Sequence, residues 1–419
     1  MKPTAITSTH SNPNTVASSS GASASHVRSI SKAPADLYHT SLPICPPTLE
    51  AELEKLSLNT STVAARYISK MDTATNQAPL LHSRIQTEQG QTYELLNTLN
   101  KHDTMAVVIQ HQQKWLGKTT IAQGGYGKVR FARNTNTNEI VAVKKMASPV
   151  DEQGNVQNSK PRAEHEIAQM QLIKNRIAAQ QAWHMQNEFA LLQDHAHIEK
   201  PRNANKTYIF SEFANLVDGC EAVGRLNNQL LLHIARSYAK AVMHLHQLDL
   251  HHRDIKPDNF LHYETTQHDG LEAIRLTDFG FTQDAELRNT WTDETPQYSP
   301  PEAKPAYRST RYDAQAHDCF SLGITLLALK NKEYAFQNPE HPHLTLKTLD
   351  GKTHAVQLRF YRNLGEPRGQ NARCHGVSTE LLHNLDMAHF DNIIAKLIAT
   401  HKADRISAEQ AFGLLSQLE

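Results

Sequence analysis

The 419-residue sequence predicts an α+β fold in two lobes: a small antiparallel sheet with one main helix, then a larger, mostly helical lobe, preceded by an N-terminal extension. Three observations predict it. From Trp115 to Met146 the chain is rich in β-branched and aromatic residues, with a glycine cluster and a turn-forming "NTNTN", the texture of two or three strands on short connections. From Pro161 to Pro201 there is no glycine and no further proline, and Gln, Ala, Met, Leu and Glu dominate, as in a helix. From Asn227 onward helical periodicity takes over, broken by short extended pieces around Leu250 and Ile274.

Composition narrows the function classes. With 43 Lys+Arg against 43 Asp+Glu the chain is neutral, which removes the usual warrant for a nucleic-acid binder or a polybasic membrane binder. The 39% hydrophobic content is enough for a core, and no apolar run reaches the roughly 20 residues of a membrane span. Cys45, Cys220, Cys319 and Cys374 stand apart, with no CxxC pair, which speaks against a zinc site or a disulfide framework. The first 35 residues hold thirteen Ser or Thr and no carboxylate, so residues 1–48 are read as a disordered Ser/Thr-rich tail. It lacks the apolar core of a secretory signal. Bacterial effectors exported by injection machinery begin this way, as do other flexible tails. The expected location is cytoplasmic, or secreted from a bacterium into a host cell, with an export chaperone on the N-terminal region before export. Residues 49–111 form an accessory, partly helical segment, with Leu49, Leu53, Leu56 and Leu58 as a short apolar stripe. The main domain is 112–419.

Within that domain the chemistry-bearing residues follow in order. "AQGGYGKV", Ala122–Val129, with Gly124, Gly125 and Gly127, lets backbone N–H groups approach phosphate oxygens between two strands. "VAVK" sends Val141 and Val143 to one strand face and Ala142 and Lys144 to the other, beneath that glycine turn. "TYIFSEF" is a further strand. "HHRDIKPDNFL" gathers Asp254, Lys256 and Asn259 within six residues, beside a proline that stops helix formation. Nineteen residues after Asn259 comes Asp278 of "TDFG", behind a strand-like "AIRL". Asn259 and Asp278 supply oxygen donors of the kind Mg²⁺ prefers.

In this order and spacing, over some 300 residues from Trp115 to Leu415, the motifs resemble those of the eukaryotic-type serine/threonine protein kinase family. "TPQYSPPEA" resembles the end of the family's activation loop, with Glu302 in the place of a glutamate that pairs with Arg405. "HDCFSLGITLLAL" resembles the buried large-lobe helix whose aspartate, here Asp318, braces the catalytic loop. The resemblance implies ATP between the lobes, with Mg²⁺, or Mn²⁺ in its place, on Asn259 and Asp278. Asp254 would be the proton acceptor, Lys256 the charge-balancing cation and Thr295 the third member of a hydrogen-bonded trio. Glu212 and Ala214 would meet adenine through their backbones, behind a small Ser211 gate. Lys256 implies serine/threonine rather than tyrosine substrates. Thr290 and Thr292 are the loop hydroxyls most suited to autophosphorylation, facing Arg253.

In the family a helix glutamate holds the lysine, and two compete here. Glu166 lies 22 residues after Lys144 and Glu188 lies 44 after it. Only 24 residues separate Glu188 from Glu212, against 46 from Glu166, so the count favours Glu188 and makes 146–184 a helical insertion in a small lobe spanning 112–213. The large lobe is then 214–419. Ala122 replaces the family's first loop glycine, while Glu294 and Pro300 alter the peptide-docking edge. Between about Lys330 and Ala395 no helices can be assigned. Two rivals share the fold: a pseudokinase or scaffold acting by binding, and a small-molecule kinase. Against them stand the intact Lys144, Asp254 and Asp278, and the intact "TPQYSPPEA".

Overall fold

A computed structural model of the protein describes residues 84–95, 104–109, 112–117, 122–124, 127–137, 139–148, 158–198, 206–212, 219, 228–263, 273–284, 295–303, 313–332, 343–358, 360–361 and 373–418. The Ser/Thr-rich tail, the 49–58 stripe, Gly125, Ala214, Thr290 and Thr292 lie outside them.

The small lobe is built on β1 (Arg84–Gln86), β2 (Thr92–Leu95), β5 (Ala122–Gly124), β6 (Gly127–Asn134), β7 (Ile140–Met146), β8 (Leu192–Ile198) and β9 (Lys206–Glu212); β3 (Thr104–Ile109) and β4 (Gln112–Gly117) form a separate hairpin. The antiparallel order is β1-β2-β6-β7-β9-β8, with β5 also on β6. The sheet therefore begins well before residue 112, and the accessory reading of 49–111 is corrected for residues 84–95. Register shows why the boundary was hidden. Leu95 faces Ala132 and Ala122 faces Val129, so 27 residues of chain cover three positions of the ladder. β2 and β5 share one side of β6, and the β3–β4 hairpin lies between them in the chain.

Strand alternation divides two cores. Val141 and Val143 pack with Ile85, Tyr93, Ala132 and Phe210, where the Tyr93 and Phe210 rings stack at 4.1 Å. The opposite face, carrying Lys144, Met146 and Ile209, meets helix α1 (Lys160–Ala179). Ala163, Glu166, Met170, Ile173 and Ile177 form the buried stripe of α1 at spacings of three and four. This helix lies inside 146–184, and it is the main helix of the small lobe rather than an insertion.

In the large lobe, α2 (Asn228–Gln247) leads into β10 (Leu250–His251), β11 (Phe260–Tyr263), β12 (Ala273–Leu276) and β13 (Gln283–Asp284), where β10 pairs with β13 and β11 with β12. Helix α3 (Ala314–Asn331) opens on Asp313, whose side chain accepts the Ala316 amide, and every residue from His317 to Leu329 is buried. Gly323 is required there, since a Cβ would sit 2.5 Å from Ile398 Cγ2 and 2.8 Å from Leu397 Cβ. Where no helices could be assigned from sequence, the chain forms strands: β14 (His343–Lys347) and β15 (Thr353–Gln357) as a hairpin, then the short pair β16 (Phe360–Tyr361) and β17 (Arg373–Cys374). Leu344 and Leu346 enter the core while His343, Thr345 and Lys347 face outward. The outer edge of β14 is satisfied by α4 (Phe390–Leu397), through Thr345 N to Asp391 Oδ2 at 2.7 Å and Lys347 N to Asn392 Oδ1 at 3.1 Å. Helix α5 (Ala408–Gln417) starts with a reciprocal Ser407–Gln410 cap. Burial pushes the Cys319 and Cys374 thiols up to about 12, which fits packing residues and not nucleophiles.

Candidate active site

Lys144 leaves the α1-facing side of β7 and donates to both oxygens of Glu166, each at 2.9 Å, and to Asp278 Oδ1 at 2.8 Å. Burial alone would favour the neutral amine. Asp278 and Glu166 outweigh it and hold the ammonium well above the ordinary lysine range. Burial pushes the Glu166 carboxyl up, whereas at Asp278 the neighbouring Lys144 overcomes burial and holds the carboxyl down.

The lysine's partner is thus Glu166, and the assignment to Glu188 is corrected. Glu188 ends a short 3₁₀ turn (Trp183–Glu188) and receives Lys240 of α2 at 2.6 Å. The residue count misled because it gave the helix two turns after its glutamate. Glu166 sits early in a 20-residue helix, and the rest of that helix with the 3₁₀ turn accounts for the extra length. A better signal was present. Glu166 interrupts an apolar stripe at helical spacing, and a carboxylate buried there needs a cation.

The loop after β10 carries the second cluster. Asp254 Oδ1 accepts from Thr295 Oγ1 at 2.6 Å, while its Oδ2 accepts from Lys256 Nζ at 2.6 Å and Asn259 Nδ2 at 3.2 Å. Lys256 Nζ also donates to Thr295 Oγ1 at 3.0 Å, which closes the trio. At Lys256 too, Asp254 and Asp258 overcome burial and raise the pKa. Asn259 spends its amide hydrogens on Asp254, the second going to the backbone oxygen at 2.7 Å, so its carbonyl oxygen is the atom left to offer.

This loop is held in an uncommon backbone shape. Arg253 in it, like Asp278 after β12, has a left-handed φ, 69° and 63°, which costs about 1–3 kcal/mol in a non-glycine residue and persists only where the surroundings hold it. Asp318 does the holding: its oxygens accept the His252 and Arg253 amides, each at 2.7 Å, and His246 Nε2 at 3.1 Å. Although burial opposes ionisation, the His246 hydrogen bond and charge keep Asp318 far below the usual carboxylate range. His252 donates from Nε2 to Thr277 O at 2.9 Å and accepts the Asp254 amide on Nδ1, linking the strand before Asp278 to Asp254. Arg405 grips Glu302 with two hydrogen bonds, at 2.5 and 2.8 Å, and its guanidinium lies 4.9 Å over Phe320.

The other predicted positions fall around these two clusters. Ala122 faces Val129 and Gly124 faces Gly127 in the β5–β6 hairpin, while Val129 faces Lys144. A Cβ on Gly127 would lie 2.5 Å from Lys145 O, so close backbone packing requires that glycine. Ala142 and Glu212 lie on neighbouring strands at the sheet's end, and the Glu212 side chain forms an ion pair with Arg275 of β12.

Two ion clusters result: one spans the lobes through Lys144–Asp278, and the other sits in the loop after β10. The protein kinase domain family matches residues 115–414, and the chain belongs to that family. Among its relatives, CBL-interacting serine/threonine-protein kinase 24 of Arabidopsis thaliana is 28% identical over 241 residues, covering 54% of this chain and 46% of that one. Serine/threonine-protein kinase PKZ1 of Phytophthora infestans is 26% identical over 322 residues, covering 71% and 69%. Serine/threonine-protein kinase H2 of Homo sapiens is 30% identical over 173 residues, covering 39% and 40%. The chain spans about half the length of most of the curated relatives it matches. Among the described residues, no helix is long and apolar enough to cross a membrane.

Proposed function

We propose that the chain is a serine/threonine protein kinase that transfers the γ-phosphoryl group of ATP to hydroxyls of protein substrates, its own loop hydroxyls Thr290 and Thr292 among them. The observation that carries this is the Asp254–Lys256–Thr295 trio, set beside an intact Lys144–Glu166–Asp278 pairing.

The donor set fits Mg²⁺. One lysine between two carboxylates leaves net negative charge, and the Asn259 carbonyl and the Asp278 carboxylate are the hard oxygen ligands such a cation takes. Bound there, the cation would neutralise charge on the phosphate oxygens. The chain's own residues position and balance charge. Lys144, oriented by Glu166, directs its ammonium toward the donor's phosphates. Asp254, with Thr295 on one oxygen and Lys256 on the other, orients the acceptor hydroxyl and takes its proton. Lys256 offsets charge on the group in transfer, and Glu212 and Ala214 would offer backbone groups to adenine.

The retained Lys144, Asp254 and Asp278 favour catalysis over a purely binding role. The thirteen hydroxyls and absent carboxylates of residues 1–35 support an export or interaction tail, on which an export chaperone would act. Asp254→Asn tests the enzyme reading, since loss of a positioned proton acceptor removes about 10²–10⁴ in rate. Nucleotide binding should persist in this near-isosteric variant, and retained transfer to a protein substrate would refute the assignment.

A further inference from the structure

Helix α1 must sit at one height and rotation for Glu166 to reach Lys144, and its last turn shows what sets them. Arg176 points from that turn onto the two-stranded β10–β13 ladder. Its Nη1 donates to the carbonyl oxygen of Leu248, and its Nη2 forms an ion pair with Asp284 Oδ2. The ladder pairs Leu250 with Asp284, which brings a carbonyl just before β10 and a carboxylate at the end of β13 within reach of one guanidinium. The planar fork of arginine suits two acceptors held side by side, and its charge complements the C-terminal end of the helix. At the first turn of α1, the Arg162 guanidinium lies 6.0 Å over the Phe281 ring, so both ends of the helix hold the segment after Asp278.

We propose that Arg176 is a positioning residue that assembles the active site. It locks the helix bearing Glu166 to the two chain segments that lead to Asp254 and away from Asp278. Leu248 precedes Asp254 by six residues and Asp284 follows Asp278 by six. A tilt of α1 away from the ladder would draw Glu166 off Lys144 and leave Lys144 on Asp278 alone. Because the anion is an encoded carboxylate, the pairing is built into the unmodified chain.

This rests on the kinase reading above, and the test separates the two. kcat and the KM for ATP are measured for wild type, Arg176→Lys, Arg176→Gln, Asp284→Asn and the Arg176→Gln/Asp284→Asn double variant, with amide hydrogen exchange followed in residues 160–179. A helix displaced by an ångström costs about 10²-fold in kcat, so Arg176→Gln should approach that loss with a much smaller change in KM. Arg176→Lys keeps the charge but not the fork, and it should fall between. The double variant should be little worse than the poorer single variant, because each single variant already breaks the Arg176–Asp284 pair. If Arg176→Gln does not fold, Asp284→Asn carries the same test. Wild-type kcat in either single variant, or additive losses in the double, overturns the proposal. If the wild type transfers no phosphoryl group, the kinase reading has failed, and exchange still decides the clamp. Faster exchange through α1 in Arg176→Gln supports it, and unchanged exchange overturns it.

Discussion

Replacing Glu166 by Gln removes one of the two carboxylates on Lys144 without changing the volume of the buried stripe. The Glu166 side chain is 5% exposed and holds the lysine through both oxygens at 2.9 Å. Glutamine keeps one acceptor, loses the charge and presents an N–H₂ to an ammonium. Truncating a buried ion pair to a lone charge costs about 3–5 kcal/mol. Here Asp278 stays on Lys144, so the folding cost should fall below that range. Activity should suffer more. With Glu166 neutralised, Lys144 relaxes onto Asp278, and removal of one preorganised electrostatic contact lowers kcat roughly 10²–10³-fold. The control is Glu188→Gln, which loses a Lys240 contact whose lysine is 41% exposed, an interaction worth about 1 kcal/mol or less with no path to the phosphates. Initial rates with a protein substrate, paired with nucleotide-induced thermal shifts, measure both variants. A large loss in Glu188→Gln with near wild-type rates in Glu166→Gln would refute the reasoning.

Three further outcomes are expected. Thr295→Val deletes a hydroxyl that donates to Asp254 and accepts from Lys256, and should lower kcat roughly tenfold or more while Thr295→Ser retains most of it; equal rates in both would remove Thr295 from the trio. Arg405→Met strands Glu302 and several backbone carbonyls from a side chain 1% exposed, and should lower the melting temperature on the order of 10 °C; a shift within error would show that the pair is idle. Burial, with Lys240 and His184 nearby, holds His244 down at about 4 from its ordinary 6.5. Between those values the unfolded chain binds the extra proton, so stability is lost as pH falls through that window and is unaffected above it. Melting curves at about pH 7 and about pH 5 should show a smaller acid loss in His244→Gln than in wild type, and identical losses would contradict the assignment.

Groups that act together and lie close in the chain are legible in the sequence alone. Asp254, Lys256 and Asn259 fall within six residues around a proline, so local backbone geometry largely dictates their convergence, and their residue types state the chemistry. Asp278 behind a strand, and Lys144 on the inner face of one, follow from an alternation that the sequence displays. The partner of Lys144 was of a different kind. Choosing between Glu166 and Glu188 requires knowing where a helix ends and which face it buries, and a residue count carries neither. The start of the small sheet was hidden for a related reason: a hairpin separates β2 from β5 in the chain, and only their shared pairing with β6 brings them to one side of that strand. The Arg176 contact with Leu248 and Asp284 joins residues 72 and 108 positions apart. Local propensity fixes which side chains can do the chemistry. Which distant segments meet, and therefore how those side chains are held, is decided by the packing of α1 against the sheet and the β10–β13 ladder.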